Sequence, residues 1–267
     1  MQQGIAWRSL VAMILLIAVA CCDKDPGPGP GETGGTDRFD VLLKEVNARN
    51  VASPFYHFTY NNEGYVTRLS YHEDMYVYEY FYKKGRIDSV TSSSTDARYF
   101  LYRYTNQRVS SVLQYDNSGL KLTVSIRYDD RGRVTHMDWQ PVNNGPDEKH
   151  TVFTYYEDGN VKRVENSYPA TGLVGITDFE AYDNKKCVDG FAVYRGFLEH
   201  AILLPSVKFQ LNNATRTKSV DGPYVRESQL NYVYRDNLPI ERHSVTRVTA
   251  GPSAGDSHTG FTSFTYY

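Results

Sequence analysis

One tyrosine recurs along this chain at near-regular intervals, and that recurrence restricts the fold more than any other feature. Tyr60, Tyr82, Tyr104, Tyr128, Tyr156, Tyr182 and Tyr234 follow at spacings of 22, 22, 24, 28, 26 and 52 residues. A period of roughly 20–50 residues marks a repeated supersecondary unit that needs its neighbours to bury a face. The last interval is twice 26, so a degenerate unit is expected between Tyr182 and Tyr234.

Each unit has one grammar. Before the tyrosine, apolar residues alternate: Tyr56, Phe58, Tyr60; Tyr78, Tyr80, Tyr82; Phe100, Tyr102, Tyr104; Val124, Ile126, Tyr128; Leu230, Tyr232, Tyr234. A period of two places each set on one face of a strand. A short polar turn follows (KKG at 83–85, DDRG at 129–132, EDG at 157–159), in which glycine supplies the positive φ of a hairpin loop. Then come apolar residues three apart: Val66 and Leu69, Ile87 and Val90, Val109 and Val112, Val134 and Met137, Val161 and Val164. That spacing resembles a helix, but the runs are short and β-branched, which predicts a bulged return strand. Two strands per unit give an all-β fold, a continuous up-and-down antiparallel sheet of about 14–16 strands, strongly curled or barrel-like. An excess of tyrosine, 23 residues against 12 Phe and 2 Trp, fits half-buried pleated surfaces. The opening stretch 39–46 fits either a helical face or a first strand, and a strand is favoured.

The first 38 residues have different physics. Arg8 precedes an apolar run from Leu10 to Val19, and small Ala20 precedes Cys21. This is the layout of a secretory signal, too short to persist as a membrane-spanning helix. Ala18-Val19-Ala20-Cys21 resembles a bacterial lipobox, with Ala18 where leucine is commoner. The resemblance implies a signal peptide over 1–20 and lipidation of Cys21. Residues 21–38 are rich in Pro and Gly and read as a flexible linker, leaving 39–267 as the β-hairpin domain. Asp23-Lys24-Asp25 resembles the acidic export signal of Bacteroidetes surface lipoproteins, which implies the outer membrane with the cell surface favoured. Cys22 reads as incidental and Cys187 as a small buried hydrophobe.

Tyr128-Asp129-Asp130-Arg131-Gly132-Arg133-Val134 resembles the YD repeat of large Rhs-type bacterial shell proteins. Tyr82-Lys83-Lys84-Gly85-Arg86-Ile87 and Tyr156-Glu157-Asp158-Gly159-Asn160-Val161 are looser copies. With the lipobox, Tyr182-Asp183-Asn184-Lys185-Lys186, Asn212-Asn213 and Tyr232-Val233-Tyr234-Arg235-Asp236, the chain is similar to uncharacterised Bacteroidetes lipoproteins with degenerate YD-like hairpins. That resemblance implies a porin-like β fold and assigns no catalytic or binding residue.

Chemistry-bearing motifs are weak. Gly251-Pro252-Ser253-Ala254-Gly255 matches G-x-S-x-G, but its flanks are polar loop and supply no strand–turn–helix elbow. The seven histidines lack metal-ligand spacing; His72 with Asp74 and His136 with Asp138 are each expected to share a strand face, two ligands where zinc needs three or four. No metal, cofactor or enzymatic activity is expected. A formal charge of −2 gives no nucleic-acid footprint. The expected partners are a membrane, through the lipid, and a glycan or protein. Tyr76, Tyr78, Tyr80, Tyr102 and Tyr104 are the candidate ligand-binding residues, an aromatic platform with hydrogen-bonding tips, set against the alternative that they pack the sheet. An integral outer-membrane barrel and an enzyme with a site assembled on the sheet face are the other two readings. Against the barrel, Glu79, Arg103 and Arg127 oppose the tyrosines where lipid would require an apolar band.

Overall fold

The computed structural model describes residues 37–39, 41–51, 53–94, 98–142, 148–187 and 202–267. Sixteen antiparallel strands pair in chain order, and the first closes on the last to make a barrel. They are β1 (Leu43–Ala48), β2 (Tyr56–Tyr60), β3 (Val66–Tyr71), β4 (Tyr76–Lys83), β5 (Arg86–Ser92), β6 (Tyr99–Thr105), β7 (Arg108–Asp116) and β8 (Gly119–Tyr128). The second half comprises β9 (Val134–Pro141), β10 (Lys149–Tyr155), β11 (Val161–Tyr168), β12 (Leu173–Lys186), β13 (Asn212–Asp221), β14 (Tyr224–Arg235), β15 (Leu238–Ala250) and β16 (Ser257–Tyr266). Closure removes the exposed edges that a curled open sheet would leave.

The register explains the three-residue spacing. In the β4–β5 hairpin Tyr82 pairs with Ile87 but Phe81 pairs with Ser89, so Asp88 is an extra residue. The same skip passes Thr67, Ser110, Thr135, Lys162 and Ile240 in the equivalent hairpins. A bulge of this kind lets two residues three apart both face inward. Val66 with Leu69, Ile87 with Val90, and Val134 with Met137 are accordingly buried.

A bulge also disturbs the ladder around its first residue. The recurring tyrosine answers that need with its hydroxyl, which donates to the bulge carbonyl of the preceding unit. Tyr60 reaches Leu43 O (2.8 Å), Tyr104 reaches Ile87 O (2.8 Å), Tyr128 reaches Val109 O (2.9 Å) and Tyr155 reaches Val134 O (2.8 Å). Tyr182 reaches Val161 O, and Tyr266 reaches Pro239 O at 2.7 Å. Tyr82 faces Val66 in the same way, outside ordinary hydrogen-bond geometry. Tyr234 instead donates to Asp183 and accepts from Asn213 Nδ2. The repeat is therefore a ring of hydroxyl-to-carbonyl ties at one end of the barrel.

Two sequence expectations change here. The anchor of the fifth unit is Tyr155; Tyr156 lies just past β10 and donates to Phe179 O at 2.9 Å. With Tyr155 the flanking spacings even out to 27 and 27. Among the described residues the long interval before Tyr234 adds no further hairpin to the sheet: β12 pairs directly with β13, and the extra length lies between them. Its described end, 202–210, turns inward: Ile202, Leu203, Leu204, Val207 and Phe209 are buried. The Tyr102 hydroxyl on β6 accepts from Leu203 N (3.0 Å) and lies 3.2 Å from Leu203 O, while the Phe209 ring lies 5.1 Å from Phe153 on β10. The segment thus crosses the interior. Sixteen strands enclose more space than wall side chains fill alone, and this apolar segment occupies part of it.

The barrel also begins before residue 39. Asp37 N donates to Gly85 O (2.8 Å), and Asp37 Oδ2 accepts from Ile87 N (2.8 Å) and the Tyr104 hydroxyl (2.7 Å). Phe39 enters the core and β1 starts at Leu43, so the opening stretch becomes strand only from Leu43 onward. Cys187 is buried, as expected of a small hydrophobe. The signal peptide, Cys21, Cys22 and the linker to residue 36 lie outside the described residues.

Candidate functional site

The wall has two characters. From β1 to β12 its inner face is mostly apolar and buried, from Leu43 through Val90, Ile126 and Met137 to Phe179. From β13 to β16 the half away from the tyrosine ring is polar. Register sets Thr217 beside Ser228 and Ser228 beside Thr246, with Ser228 Oγ and Thr246 Oγ1 2.8 Å apart. The next inner row is Leu230, Ser244 and Gly260; the row after it is Tyr232, Arg242 and Thr262. Phe179 and Phe264, core residues in register with these strands, fix the face as the inner one. Ser228, Leu230, Tyr232, Arg242, Ser244 and Thr246 are half-buried, and Gly260 is exposed, so solvent reaches this wall from inside.

Arg242 is the chemically distinctive member. Its Nη2 donates to Thr262 Oγ1 at 3.0 Å, and among the described residues no carboxylate lies within ion-pair distance. A guanidinium has five donors in a planar fork, and most of this fork is unspent. Three arginines on the outer face are paired with carboxylates: Arg163 with Asp178 (2.6 and 3.0 Å), Arg216 with Glu180 (2.8 Å) and Arg127 with Asp138 (3.1 Å). The row containing Thr262 continues to Ala48 of β1. One inner position away, Phe264, Val46, Tyr56, Tyr71 and Tyr76 form an adjoining row that ends in aromatic rings, with Tyr71 and Tyr76 stacked at 5.8 Å.

The five tyrosines separate. Tyr78, Tyr80 and Tyr102 are 7%, 4% and 4% exposed and present no ring face to solvent. Tyr104 is half-buried, with its hydroxyl committed to Asp37 and Ile87. Tyr76 alone is exposed, at 36%. Burial pushes the hydroxyls of Tyr80, Tyr102 and Tyr104 well above the usual phenol range, so they remain neutral donors. Sequence reasoning missed Arg242, whose alternation with Ser244 and Thr246 marks an inner face only once the neighbouring strands are known.

The other motifs resolve as follows. His72 and Asp74 do not share a strand face; both sit in the turn 72–75, where His72, Glu73 and Asp74 all have positive φ. His136 and Asp138 do share the outer face of β9, and Asp138 is bonded to His150 Nδ1 (2.8 Å) and Arg127. Among the described residues no three His, Cys, Asp or Glu side chains group as a metal site. Ser253 lies in the β15–β16 turn and leads into strand, not helix.

No protein-family model matches this sequence, and comparison with curated proteins finds no match. Solved structures do resemble it. A porin-like protein from Bacteroides uniformis superposes with a TM-score of 0.62 at 13% identity, covering 87% of this chain and 98% of that one. A porin-like protein from Bacteroides vulgatus gives 0.54 at 11% identity, covering 85% and 99%. At these identities the likeness shows the fold, a porin-like β-barrel spanning nearly the whole described chain.

Proposed function

We propose that this chain is an outer-membrane lipoprotein, tethered through Cys21, whose barrel is a water-soluble, non-enzymatic binding module facing the cell surface. The observation that carries this reading is the polarity of the wall. Its outer face bears Glu79, Arg103, Arg127, Glu227, Asn231 and Arg247, all exposed, and cross-strand ion pairs including Arg163–Asp178 and Lys218–Glu227. A barrel lying in lipid needs the reverse, an outward apolar band about 25 Å tall around a polar lumen. The lipobox-like Ala18-Val19-Ala20-Cys21 and the Pro/Gly run after it supply the tether. The open polar wall of β13–β16 supplies a surface for a ligand.

A second reading, an integral outer-membrane barrel, is favoured by the strand number and by the porin-like description of the two structural neighbours. Fractionation separates the two. With Cys21→Ala, the tethered module leaves the membrane fraction and appears as a soluble exported protein. An integral barrel stays in the membrane and is released only by detergent, which would refute the tether.

A further inference from the structure

We propose that the polar inner wall of β14–β16 is a site for an acidic sugar, with the sugar carboxylate on Arg242. This deepens the binding-module reading and rests on it. A half-buried guanidinium has lost part of its hydration, and among the described residues this one receives only the Thr262 hydroxyl in return. Its planar fork matches a carboxylate bidentately.

The surroundings narrow the anion to a hydroxylated one. Beside Arg242 stands Ser244, and across from it Gly260; the Ser244 hydroxyl lies over the glycine, in the space a Cβ would take. Further along the same face lie the paired hydroxyls of Ser228 and Thr246. From Arg242 to Thr246 the strand runs about 13 Å, room for a sugar lying along it. Hydroxyls both donate and accept, as sugar hydroxyls do. The Tyr232 ring flanks Arg242 in the same row, an apolar face with a polar tip of the kind that sugars contact. An inorganic anion would use the guanidinium and leave the hydroxyl row idle.

The test is titration of the full-length protein with tri-galacturonate, its methyl-esterified counterpart and inorganic phosphate, read by calorimetry or ligand-observed NMR. The acid trimer is expected to bind, and the ester, which keeps the shape and loses the charge, at least about tenfold more weakly. Arg242→Gln is expected to weaken the acid by a similar factor and Arg242→Lys by less, with unfolding midpoints unchanged. Arg247→Gln, on the outer face, is expected to change nothing. Phosphate binding as tightly as the trimer would overturn the sugar assignment. Equal binding of acid and ester, insensitivity to Arg242→Gln, or no binding of the acid trimer would overturn the proposal. The Cys21 fractionation is independent of these results, so failure here and failure of the tether reading are told apart.

Discussion

At the residue scale, the recurring tyrosine earns its regularity through one atom. In six units, those of Tyr60, Tyr104, Tyr128, Tyr155, Tyr182 and Tyr266, the phenol hydroxyl donates to the bulge carbonyl of the unit before it, and the ring fills the wall at that level. Tyr128, whose hydroxyl donates to Val109 O at 2.9 Å, and Tyr82, whose buried hydroxyl makes no proper bond, form a natural pair of controls. Tyr128→Phe should cost about 1–2 kcal/mol, because it leaves a carbonyl unsatisfied. Tyr82→Phe should be neutral or slightly stabilising, and urea unfolding of both variants reads the difference. Asp37 makes a second prediction. Burial raises its pKa above 3.8, against the lowering influence of Tyr104, the Ile87 amide and Arg86. A carboxyl with a raised folded pKa contributes stability below its unfolded value and loses it as pH rises through the folded value. Asp37→Asn should therefore gain stability relative to the wild type as pH rises from 4 to 7. A difference that is flat or shrinks with pH would show that burial does not raise the Asp37 pKa in the folded protein.

At the element scale, the unit is a hairpin with one extra residue, and that residue sets the side-chain faces downstream. Asp88 is exposed and skipped by the ladder. Replacing it with Ala should change stability by less than about 0.5 kcal/mol. Deleting it should turn either Ile87 or Val90 outward, because a one-residue slip exchanges the faces of a strand. Loss of cooperative thermal unfolding in the deletion, with the alanine variant intact, is the expected outcome. This level was well legible in sequence: alternation before the tyrosine, glycine in the turn and apolar residues three apart each have one local cause. Tyr155 was harder to pick because Tyr156 is its neighbour, and only the partner carbonyl distinguishes them. The excursion between β12 and β13 is not legible in sequence because its length mimics a repeat, while the apolar residues of its described end, 202–210, serve the interior rather than a strand face.

At the scale of the whole molecule, closure and polarity decide what the barrel can be. Closure depends on β1 meeting β16, an end-to-end contact that no local pattern encodes. The site was illegible for the same reason: Arg242, Thr262, Ser228 and Thr246 meet only across strands, and the tyrosines that looked like a platform are mostly the packing of the opposite wall. On the proposed reading the barrel is charged outside and apolar inside except for the polar wall of β13–β16, and it is held near a membrane rather than inserted in it. The most direct measurement takes residues 37–267, made without detergent, through sedimentation velocity and then to conductance across a planar lipid bilayer. A monodisperse soluble protein that opens no channel is the predicted result. A protein that stays in solution only with detergent, or that inserts and conducts, would contradict the account.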